Sequence, residues 1–306
     1  MISVIIATFN GELVLSKTLH ALSLLEIPSK GVEFIVVNNS STDNTANILL
    51  EYTDRLHLQV LQEPRQGKSF AIHKGLKHAK GDLIVFTDDD VIPDKHWLVA
   101  FERAAYEQPG SSVFLGQIRP YWVSKPPNWL VQLTDEGKAC GCTNKVIESG
   151  PAIESWAKGA NFCIRKEVLD YVSFREDLWI AGENCVGGED TDFVKKAAEN
   201  GFKLSFVSEA CLKHIIRPYE MSIRGVWQRY FRIGRSMANL DINLVKNERR
   251  IFGYPRWVIV QLVKLSMKLL KNFFMGKKYK TMCILIQMAT IYGQAYQNKY
   301  FQSVRN

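Results

Sequence analysis

Short apolar runs, each followed by a stretch with helical spacing, are the feature that most restricts how this 306-residue chain can fold. The runs are rich in Val, Ile and Leu and do not alternate with polar residues, which is typical of strands buried on both faces. The pattern therefore predicts an α/β fold with a parallel sheet that is covered by helices on both faces. The predicted strands lie at residues 2–7, 32–37, 56–61 and 83–86, and the predicted helices lie at 12–25, from about 44, and at 69–79.

Polar residues follow three of these strands at the point where each strand ends. They form clusters at residues 8–10, 38–43 and 88–90. Because open parallel sheets bind ligands at the carboxyl ends of their strands, we expect these clusters to share one site.

The cluster Asp88-Asp89-Asp90 carries the strongest chemical signal. Three adjacent carboxylates repel one another unless a cation or a hydrogen-bond network compensates their charge. Mg²⁺ and Mn²⁺ use one or two carboxylates and complete their coordination with water and phosphate oxygens. The triplet therefore favours a divalent ion beside a nucleoside diphosphate, and the alternative is a solvated turn or a helix cap.

A second acidic cluster, at residues 187–192, opens a helical pattern. Acidic side chains in a first helical turn ordinarily stabilise the helix, so this cluster by itself does not predict catalysis.

The motifs of residues 2–235, taken in order, resemble glycosyltransferase family 2. The resemblance implies the GT-A fold, with a doubly wound, mostly parallel sheet and helices on both faces, and it implies an inverting transferase that uses a nucleotide-sugar donor. The matching segments are residues 3–10 (SVIIATFN), 37–45 (VNNSSTDNT), 66–68 (QGK) through Gly81 and Asp82, 86–90 (FTDDD), 159–162 (GANF) followed by Arg165 and Phe174, and 188–190 (GED).

The resemblance also implies which residues bind the donor. Thr8 and Asn10 would lie near the nucleoside, and Asn38 stands where the family often has a base-contacting aspartate. This departure leaves the identity of the base open, because an amide both donates and accepts hydrogen bonds. The other implied donor residues are Asp43, Gly67, Lys68, Asp88 and Asp89.

For catalysis, the resemblance implies Asp190 as the general base, with Glu189 beside it in the motif. A carboxylate within hydrogen-bond reach can take the proton that the attacking hydroxyl loses. Asp90 would bind the divalent metal, Mn²⁺ or Mg²⁺, and His214 resembles a histidine that completes the metal or diphosphate site.

The acceptor side is implied by one motif, Gly159-Ala160-Asn161. The resemblance predicts a glycan or a lipid-linked acceptor, and a role in bacterial polysaccharide or cell-surface glycan synthesis.

Three parts of the chain are expected. Residues 1–105 would bind the nucleotide sugar, residues 106–235 would complete the same domain with the acceptor-binding and catalytic part, and residues 236–306 would form a basic amphipathic helical tail.

The tail differs sharply in charge from the rest of the chain. Residues 1–210 hold 21 Lys and Arg against 28 Asp and Glu, whereas residues 211–306 hold 18 against 3. A helical count over 256–274 predicts one face with lysines and an opposite apolar face, which favours a helix lying in the plane of an anionic membrane surface. The lysines are 264, 268 and 271, and the apolar residues are Ile259, Leu262, Leu269 and Phe273.

These patterns predict a cytoplasmic protein that is peripheral at the inner face of the cell membrane. The N-terminus has no basic leader and is expected to be a strand, and the six scattered cysteines suit a reducing compartment. A helical hairpin buried against the catalytic domain is the alternative for the tail. Nucleic-acid binding is not expected, because the tail is too apolar for a solvated phosphate-binding face.

Two other functions stay open from the sequence. A sugar nucleotidyltransferase also uses a parallel sheet and metal-binding carboxylates, but the usual glycine-rich loop is missing after the first strand, where Gly11 is a lone glycine. A non-catalytic GT-A-fold binding protein is the second, and the intact Asp88, Asp90 and Asp190 argue against it.

Overall fold

The structure is a computed structural model that describes residues 1–176, 187–240, 250–251 and 253–305. The chain divides into two compact units. The first, here called the sheet unit, comprises Met1–Val123, Thr134–Ala181 and Glu189–Ile216. The second, the helical unit, comprises Ser124–Leu133, Gly182–Gly188 and Arg217–Asn306.

The sheet unit is built on one mixed sheet that has nine strands in the part of the chain described. Its strand order is β3-β2-β1-β4-β8-β6-β9-β5, with β7 paired to β9. The strands are β1 (Ile2–Thr8), β2 (Val32–Asn38), β3 (Gln59–Gln62), β4 (Leu83–Thr87), β5 (Val91–Pro93), β6 (Ser111–Trp122), β7 (Gly150–Pro151), β8 (Asn161–Arg165) and β9 (Lys203–Ile216).

Most of these strands run in the same direction. Strands β1 to β4 are mutually parallel, and β6 and β9 are parallel to each other. Since β8 is antiparallel to both β4 and β6, it joins the two groups so that six of the nine described strands point the same way. In β1, consecutive residues Val4 and Ile5 are both buried although their side chains point to opposite faces. The sheet is thus covered on both sides, and the predicted α/β fold is confirmed.

The helices of the sheet unit pack on this sheet. Helix α3 contacts β1 and β2, and α4 contacts β6 and β9. In α1, Leu15, Leu19 and Leu22 are buried at the three- and four-residue spacing that the sequence displays. The helices are α1 (Leu15–Leu22), α2 (Thr45–Leu56), α3 (Lys68–Leu76), α4 (Trp97–Glu107), α5 (Asn128–Asp135), which crosses into the helical unit, and α6 (Glu189–Glu199), with short 3₁₀ turns at Glu154–Trp156 and Lys166–Asp170.

An aromatic cluster fixes the start of α6 against the end of β4. The rings of Phe174 and Phe193 stack at 4.3 Å, and those of Phe86 and Phe162 stack at 4.7 Å. The Phe86 ring also meets the Phe174 ring edge-on at 5.1 Å. Burying each such ring stabilises the fold by roughly 1.5–3 kcal/mol. The cluster therefore holds the first turn of α6 next to the strand that leads into Asp88.

The helical unit is formed mainly by three helices, α7 (Ile223–Leu240), α8 (Arg256–Phe274) and α9 (Lys278–Arg305). A 3₁₀ turn at Pro218–Met221 and the strands β10 (Arg250–Ile251) and β11 (Tyr254–Pro255) complete its described part. Helices α7 and α9 approach closely at glycines: a β-carbon on Gly234 would lie 2.0 Å from the Thr290 carbonyl oxygen. Nearby, Arg235 Nε donates a buried hydrogen bond to Gln297 Oε1 at 2.8 Å.

Helix α8 has the bounds that the sequence predicts, and its three lysines are exposed as that pattern requires. Of the predicted apolar face, Ile259, Leu262 and Leu269 are half-buried, whereas Phe273 is exposed. The lysines 264, 268 and 271 are exposed, and they share the surface of the helix with a different apolar set. That set, here called the α8 stripe, comprises Val260, Val263, Met267, Leu270 and Phe274. Within the described residues, no helix is long and apolar enough to cross a bilayer.

Several boundaries also differ from the sequence-based expectation. The third strand begins at Gln59 because α2 runs on to Leu56 and His57 ends it in a left-handed conformation, with φ 49°. The domain limits expected after residues 105 and 235 fall inside α4 and α7. The region 106–180 supplies three strands of the sheet, the long strand β6 and the shorter β7 and β8.

Candidate active site

The carboxyl ends of three neighbouring strands bring the predicted polar clusters to one edge of the sheet. Strand pairing aligns Thr8 at the end of β1 with Asn38 at the end of β2. On the other side of β1, Ile6 is aligned with Thr87, the last residue of β4. The segments that follow residues 8, 38 and 87 therefore leave the sheet side by side, as expected for a parallel arrangement.

The three consecutive aspartates each have a different partner. Asp88 Oδ1 accepts a hydrogen bond from Lys68 Nζ at 2.7 Å. Asp89 Oδ2 accepts one from Thr8 Oγ1 at 2.5 Å, and Asp90 Oδ2 lies 3.2 Å from His214 Nε2. Each carboxylate thus has its own polar neighbour, although repulsion still acts on Asp89.

Asp89 stabilises the turn after β4 through two hydrogen bonds. Its backbone oxygen accepts a hydrogen bond from Thr18 Oγ1 at 2.7 Å, and its carboxylate bonds to the buried Thr8. A β-carbon on Gly11 would lie 2.8 Å from Asp89 Oδ2, so the loop after β1 closes tightly over this pair. Burial and the charge of Asp90 raise the pKa of Asp89 to about 7. The side chains of Thr8 and Asp89 are bonded to each other, and their contact with the donor stays a prediction.

Lys68 joins the two acidic clusters that are far apart in the sequence. Its Nζ lies 2.7 Å from Asp88 Oδ1 and 2.8 Å from Asp190 Oδ2. Burial by itself would lower the pKa of the Lys68 ammonium, but the charges of Asp190 and Asp88 outweigh it and hold the pKa well above its usual range. The ammonium therefore stays charged and balances both carboxylates.

Asp190 has one oriented oxygen and one unbonded oxygen. Oδ2 is held by Lys68, while Oδ1 is buried and has no hydrogen-bond partner among the residues that the structure describes. Burial raises the pKa of Asp190, and the charge of Lys68 opposes this shift. A buried carboxylate oxygen without a partner is costly, so it marks a place where a ligand can donate a hydrogen bond.

Glu189 lies next to Asp190 in the first turn of α6 and is buried. Burial and the charge of Asp190 raise the pKa of Glu189 to about 7. Because the two carboxyl groups are adjacent, ionisation of Asp190 disfavours ionisation of Glu189. Of the two, Asp190 is the one to which Lys68 bonds directly.

Asp90 and His214, the two predicted metal ligands, are neighbours. Pairing of β5 with β9 aligns Val91 with His214, which sets the imidazole beside the aspartate. His214 Nδ1 lies 2.8 Å from the Cys140 carbonyl oxygen, which can only accept, so Nδ1 carries the proton and Nε2 faces Asp90. A carboxylate oxygen and an imidazole nitrogen suit Mn²⁺. The described residues hold no group of three or more His, Cys, Asp or Glu arranged for a metal, so phosphate oxygens and water would complete its coordination.

The remaining predicted donor residues tie the strand-end loops together. Asn10 Oδ1 accepts a hydrogen bond from Thr42 N at 2.9 Å, and the buried Asn38 accepts one from Ser41 N at 3.1 Å. Asp43 accepts bonds from Thr45 at the start of α2 and, through Oδ2, from the Glu12 backbone at 3.0 Å. These contacts give the loops a fixed shape, and donor binding by these residues stays a prediction.

The comparisons with known proteins agree with this arrangement. A family model described as glycosyl transferase family 2 matches residues 3–162, about half of the chain. The chain belongs to this family. A relative, glycosyltransferase AglE of Haloferax volcanii, is 25% identical over 264 residues, which cover 85% of this chain and 80% of AglE. The protein is thus a glycosyltransferase.

Two solved structures show that this glycosyltransferase shares its fold with known enzymes. The mannosyltransferase PcManGT from Pyrobaculum calidifontis, in complex with GDP-Man and Mn²⁺, has a TM-score of 0.64 at 17% identity, with 98% of this chain and 87% of that chain covered. S. aureus TarS 1–349 in complex with UDP-GlcNAc has a TM-score of 0.56 at 18% identity, with 99% and 92% covered. The expected GT-A architecture is therefore confirmed.

Asn39 is a site residue of this glycosyltransferase that the sequence reasoning missed. Its Nδ2 donates to the carbonyl oxygens of Glu63 and Arg65, at 2.9 and 2.7 Å, and its Oδ1 accepts from Gly67 N at 2.7 Å. It thereby fixes the loop that delivers Lys68. Gly67 itself has φ 144°, which suits glycine. The signal in the sequence was a second asparagine directly after a buried strand.

The predicted acceptor motif divides into three different roles. Asn161 is fully buried: its Oδ1 accepts from Trp97 Nε1 at 2.8 Å, and its Nδ2 donates to the carbonyl oxygens of Gln117 and Ala210. Its side chain is fully bonded within the core, and acceptor binding by this residue stays a prediction. Ala160 is also buried and accepts the Thr87 hydroxyl through its backbone oxygen. Of the three residues, Gly159 lies against Asp190.

Proposed function

We propose that this protein is an inverting, metal-dependent glycosyltransferase that moves a sugar from a nucleoside-diphosphate sugar to an acceptor hydroxyl. The observation that carries the proposal is the position of Asp190. Lys68 hydrogen-bonds to Asp88 and also to one carboxylate oxygen of Asp190. The other oxygen of Asp190 is buried and has no partner among the described residues.

The proposed step uses Asp190 Oδ1 as the proton acceptor. The acceptor hydroxyl donates its proton to Oδ1 while its oxygen forms a bond to the anomeric carbon, and the bond from that carbon to the diphosphate breaks. The charge of Lys68 favours the ionised form of Asp190 and so opposes the rise in its pKa that burial causes. One base and one displacement lead to inversion at the anomeric carbon.

Asp90 and His214 are the residues that would hold the divalent ion. When bound, the ion supplies positive charge for the departing diphosphate. The donor set supports this role, because the Nδ1 of His214 is fixed by a carbonyl and its Nε2 is aimed at the carboxylate. The fold neighbour PcManGT, whose structure contains GDP-Man and Mn²⁺, supports the same reading.

The nucleotide is proposed to occupy the loops that hold Asn10, Asn38 and Asp43. The solved neighbours contain nucleotide sugars with different bases, GDP-Man in one and UDP-GlcNAc in the other. The Asn38 side chain has both donor and acceptor groups, and its Oδ1 already accepts from Ser41. We therefore propose a nucleotide-sugar donor without assigning its base, and an acceptor in cell-surface glycan or polysaccharide synthesis.

The decisive measurement is nucleoside-diphosphate release from a panel of nucleotide sugars with Mn²⁺ or Mg²⁺. Native protein should release nucleotide from one donor, and Asp190→Asn should lose at least about a hundredfold in rate, the usual contribution of a general base. His214→Ala should require more metal for the same rate. Asp82→Asn, at an exposed carboxylate that pairs with the N-terminus, is the matched control and should keep full activity.

Two results would contradict the proposal. The first is an Asp190→Asn variant as active as the native protein. The second is a transferred sugar that keeps the anomeric configuration of the donor, which proton NMR of the product distinguishes.

A peripheral position at an anionic membrane surface is proposed as well. The α8 stripe is exposed, with Met267 at 60% and Phe274 at 81%, and Lys264 and Lys268 are exposed on the same helix. Residues 250–306 contain ten Lys and Arg and no Asp or Glu. Apolar side chains surrounded by lysines match the boundary between lipid headgroups and acyl chains.

Sedimentation with vesicles tests this position. The protein should bind vesicles that contain phosphatidylglycerol and should not bind vesicles of pure phosphatidylcholine. Met267→Asp should abolish binding, while Leu50→Asp, at an exposed leucine of α2, should leave it unchanged. Equal binding by both variants would show that α8 is not the contact surface.

A further inference from the structure

The helical unit contains an open cavity of about 730 Å³. Its wall comes from four helices, α5, α7, α8 and α9, and the residues beside them, and all of its lining belongs to this unit. Trp129 stands on α5, Phe273 at the end of α8, and Met282 and Leu285 on the first turns of α9. A volume of this size lies within the range of roughly 300–1,000 Å³ that is typical of small-ligand sites.

The composition of the wall indicates what kind of ligand it takes. A set of large apolar side chains offers dispersion contacts and few directional bonds, which suits a flexible hydrocarbon better than a sugar or a nucleotide. The polar side chains of the lining are Asn128, Gln132, Lys278, Tyr279 and Thr281. Lys278 is exposed, so its ammonium reaches solvent at the edge of the cavity.

The cavity is continuous with the exposed apolar end of α8. Phe273 lines the cavity and is itself 66% exposed, and the next residues, Phe274 and Met275, are also exposed. The surrounding segment is strongly basic, with lysines at 277, 278 and 280. An amphiphile with an apolar chain and a negative head would find both complementary surfaces within a few residues.

We propose that this cavity binds one hydrocarbon chain of an anionic lipid, with the lipid head group beside Lys278. The site is lined by residues of the helical unit alone, and the proposal does not depend on glycosyl transfer. It also differs from the membrane contact of the α8 stripe, because it takes a single chain out of a lipid layer and does not need an intact bilayer.

The experiment uses the full chain in solution with a photoactivatable 16-carbon fatty acid, kept below the concentration at which it forms micelles. After irradiation, peptide mass spectrometry locates the label. Saturable labelling is expected within residues 127–132 and 273–285, and unlabelled palmitate should compete for it.

Variants test the two parts of the proposal. Leu285→Trp fills the cavity from α9 and should remove at least about nine-tenths of the labelling. Gln132→Trp does so from an exposed position on α5, which protects the test if the first variant unfolds. Lys278→Glu should weaken binding of the fatty acid about tenfold, equivalent to one charge-assisted hydrogen bond. Met267→Asp is the control: it removes apolar character from the α8 stripe and should leave labelling unchanged.

Three results would overturn the proposal. One is the absence of saturable labelling, and another is labelling that both tryptophan variants leave intact. The third is equal binding of the corresponding uncharged amide, which would remove the role of Lys278. Nucleotide release by each variant is measured in parallel, because a failure of the lipid site leaves that activity unaffected.

Discussion

Gly159 lies directly against the Asp190 carboxylate: a β-carbon at residue 159 would stand 1.8 Å from Oδ2. No side chain atom can occupy that position, so the glycine allows α6 to bring Asp190 to Lys68. The contact explains why a glycine at the start of the predicted acceptor motif matters for the catalytic candidate.

Gly159→Ala should therefore reduce the rate of sugar transfer by at least about tenfold while the protein stays folded. A displacement of the carboxylate by about 1 Å is enough for a loss of this size or larger. The rate of transfer and the melting temperature are the measurements. Gly110→Ala is the control, because a β-carbon there would meet no atom within 4 Å. Equal rates for both variants would mean that Asp190 does not need its present position.

Replacing Lys68 should change the pH dependence of the reaction. Lys68 opposes the rise in the pKa of Asp190 that burial causes, so its removal lets this pKa rise further. A general base must be ionised, and the acidic limb of the rate profile for Lys68→Met should therefore move to higher pH. Lys68→Arg keeps the charge and should restore part of the native profile. A uniform loss of rate at every pH would instead assign Lys68 to donor binding alone.

The sequence predicted the parts of this site that are local in the chain. Each strand that ends in a polar cluster was recognisable, since consecutive residues make both the strand and its end. The roles of Asp90, His214 and Asp190 came from the family resemblance, because residues so distant in the chain leave no pattern that spacing can reveal. The link from Asp88 to Asp190 through Lys68 was not predicted.

What the sequence did not predict depends on tertiary contacts. Asn161 and Gly159 belong to one motif, yet Asn161 is the first residue of β8 and turns into the core, while Gly159 lies in the turn before that strand, against Asp190. For a related reason, the α8 stripe was not predicted. A helical count separates two faces, but only packing decides which of two partly apolar faces is covered.

Asp89 should make the protein less stable at pH 7 and above than it is at pH 4. Its pKa is about 7 in the folded protein, against an ordinary value near 3.8, so the folded state binds more protons than the unfolded state between these values. Stability from this group therefore falls as the pH rises from 4 to 7. Asp89→Asn removes the charge and should stabilise the protein at pH 8 by on the order of 2 kcal/mol, with little change at pH 4.

Thermal unfolding in the presence of a chelator, at pH 4, 6 and 8, measures this effect without any contribution from metal. Asp82→Asn serves as the comparison, because that carboxylate is exposed. A stabilisation by Asp89→Asn that is the same at all three pH values would show that the charge of Asp89 is not the cause.

Asn161→Ala should destabilise the fold and leave acceptor binding intact. The substitution removes one acceptor and two donor bonds, made with Trp97, Gln117 and Ala210, and leaves buried partners unsatisfied. A loss of about 3 kcal/mol is expected in the free energy of unfolding, measured with urea. The KM for the acceptor, measured at a temperature where the variant is folded, should stay within about twofold of the native value. Asn47→Ala, at an exposed asparagine of α2, is the control and should change neither quantity. A stable variant with a strongly raised KM would instead show that the Asn161 side chain takes part in acceptor binding. A side chain that only bonds within the core can change the KM only by destabilising the fold.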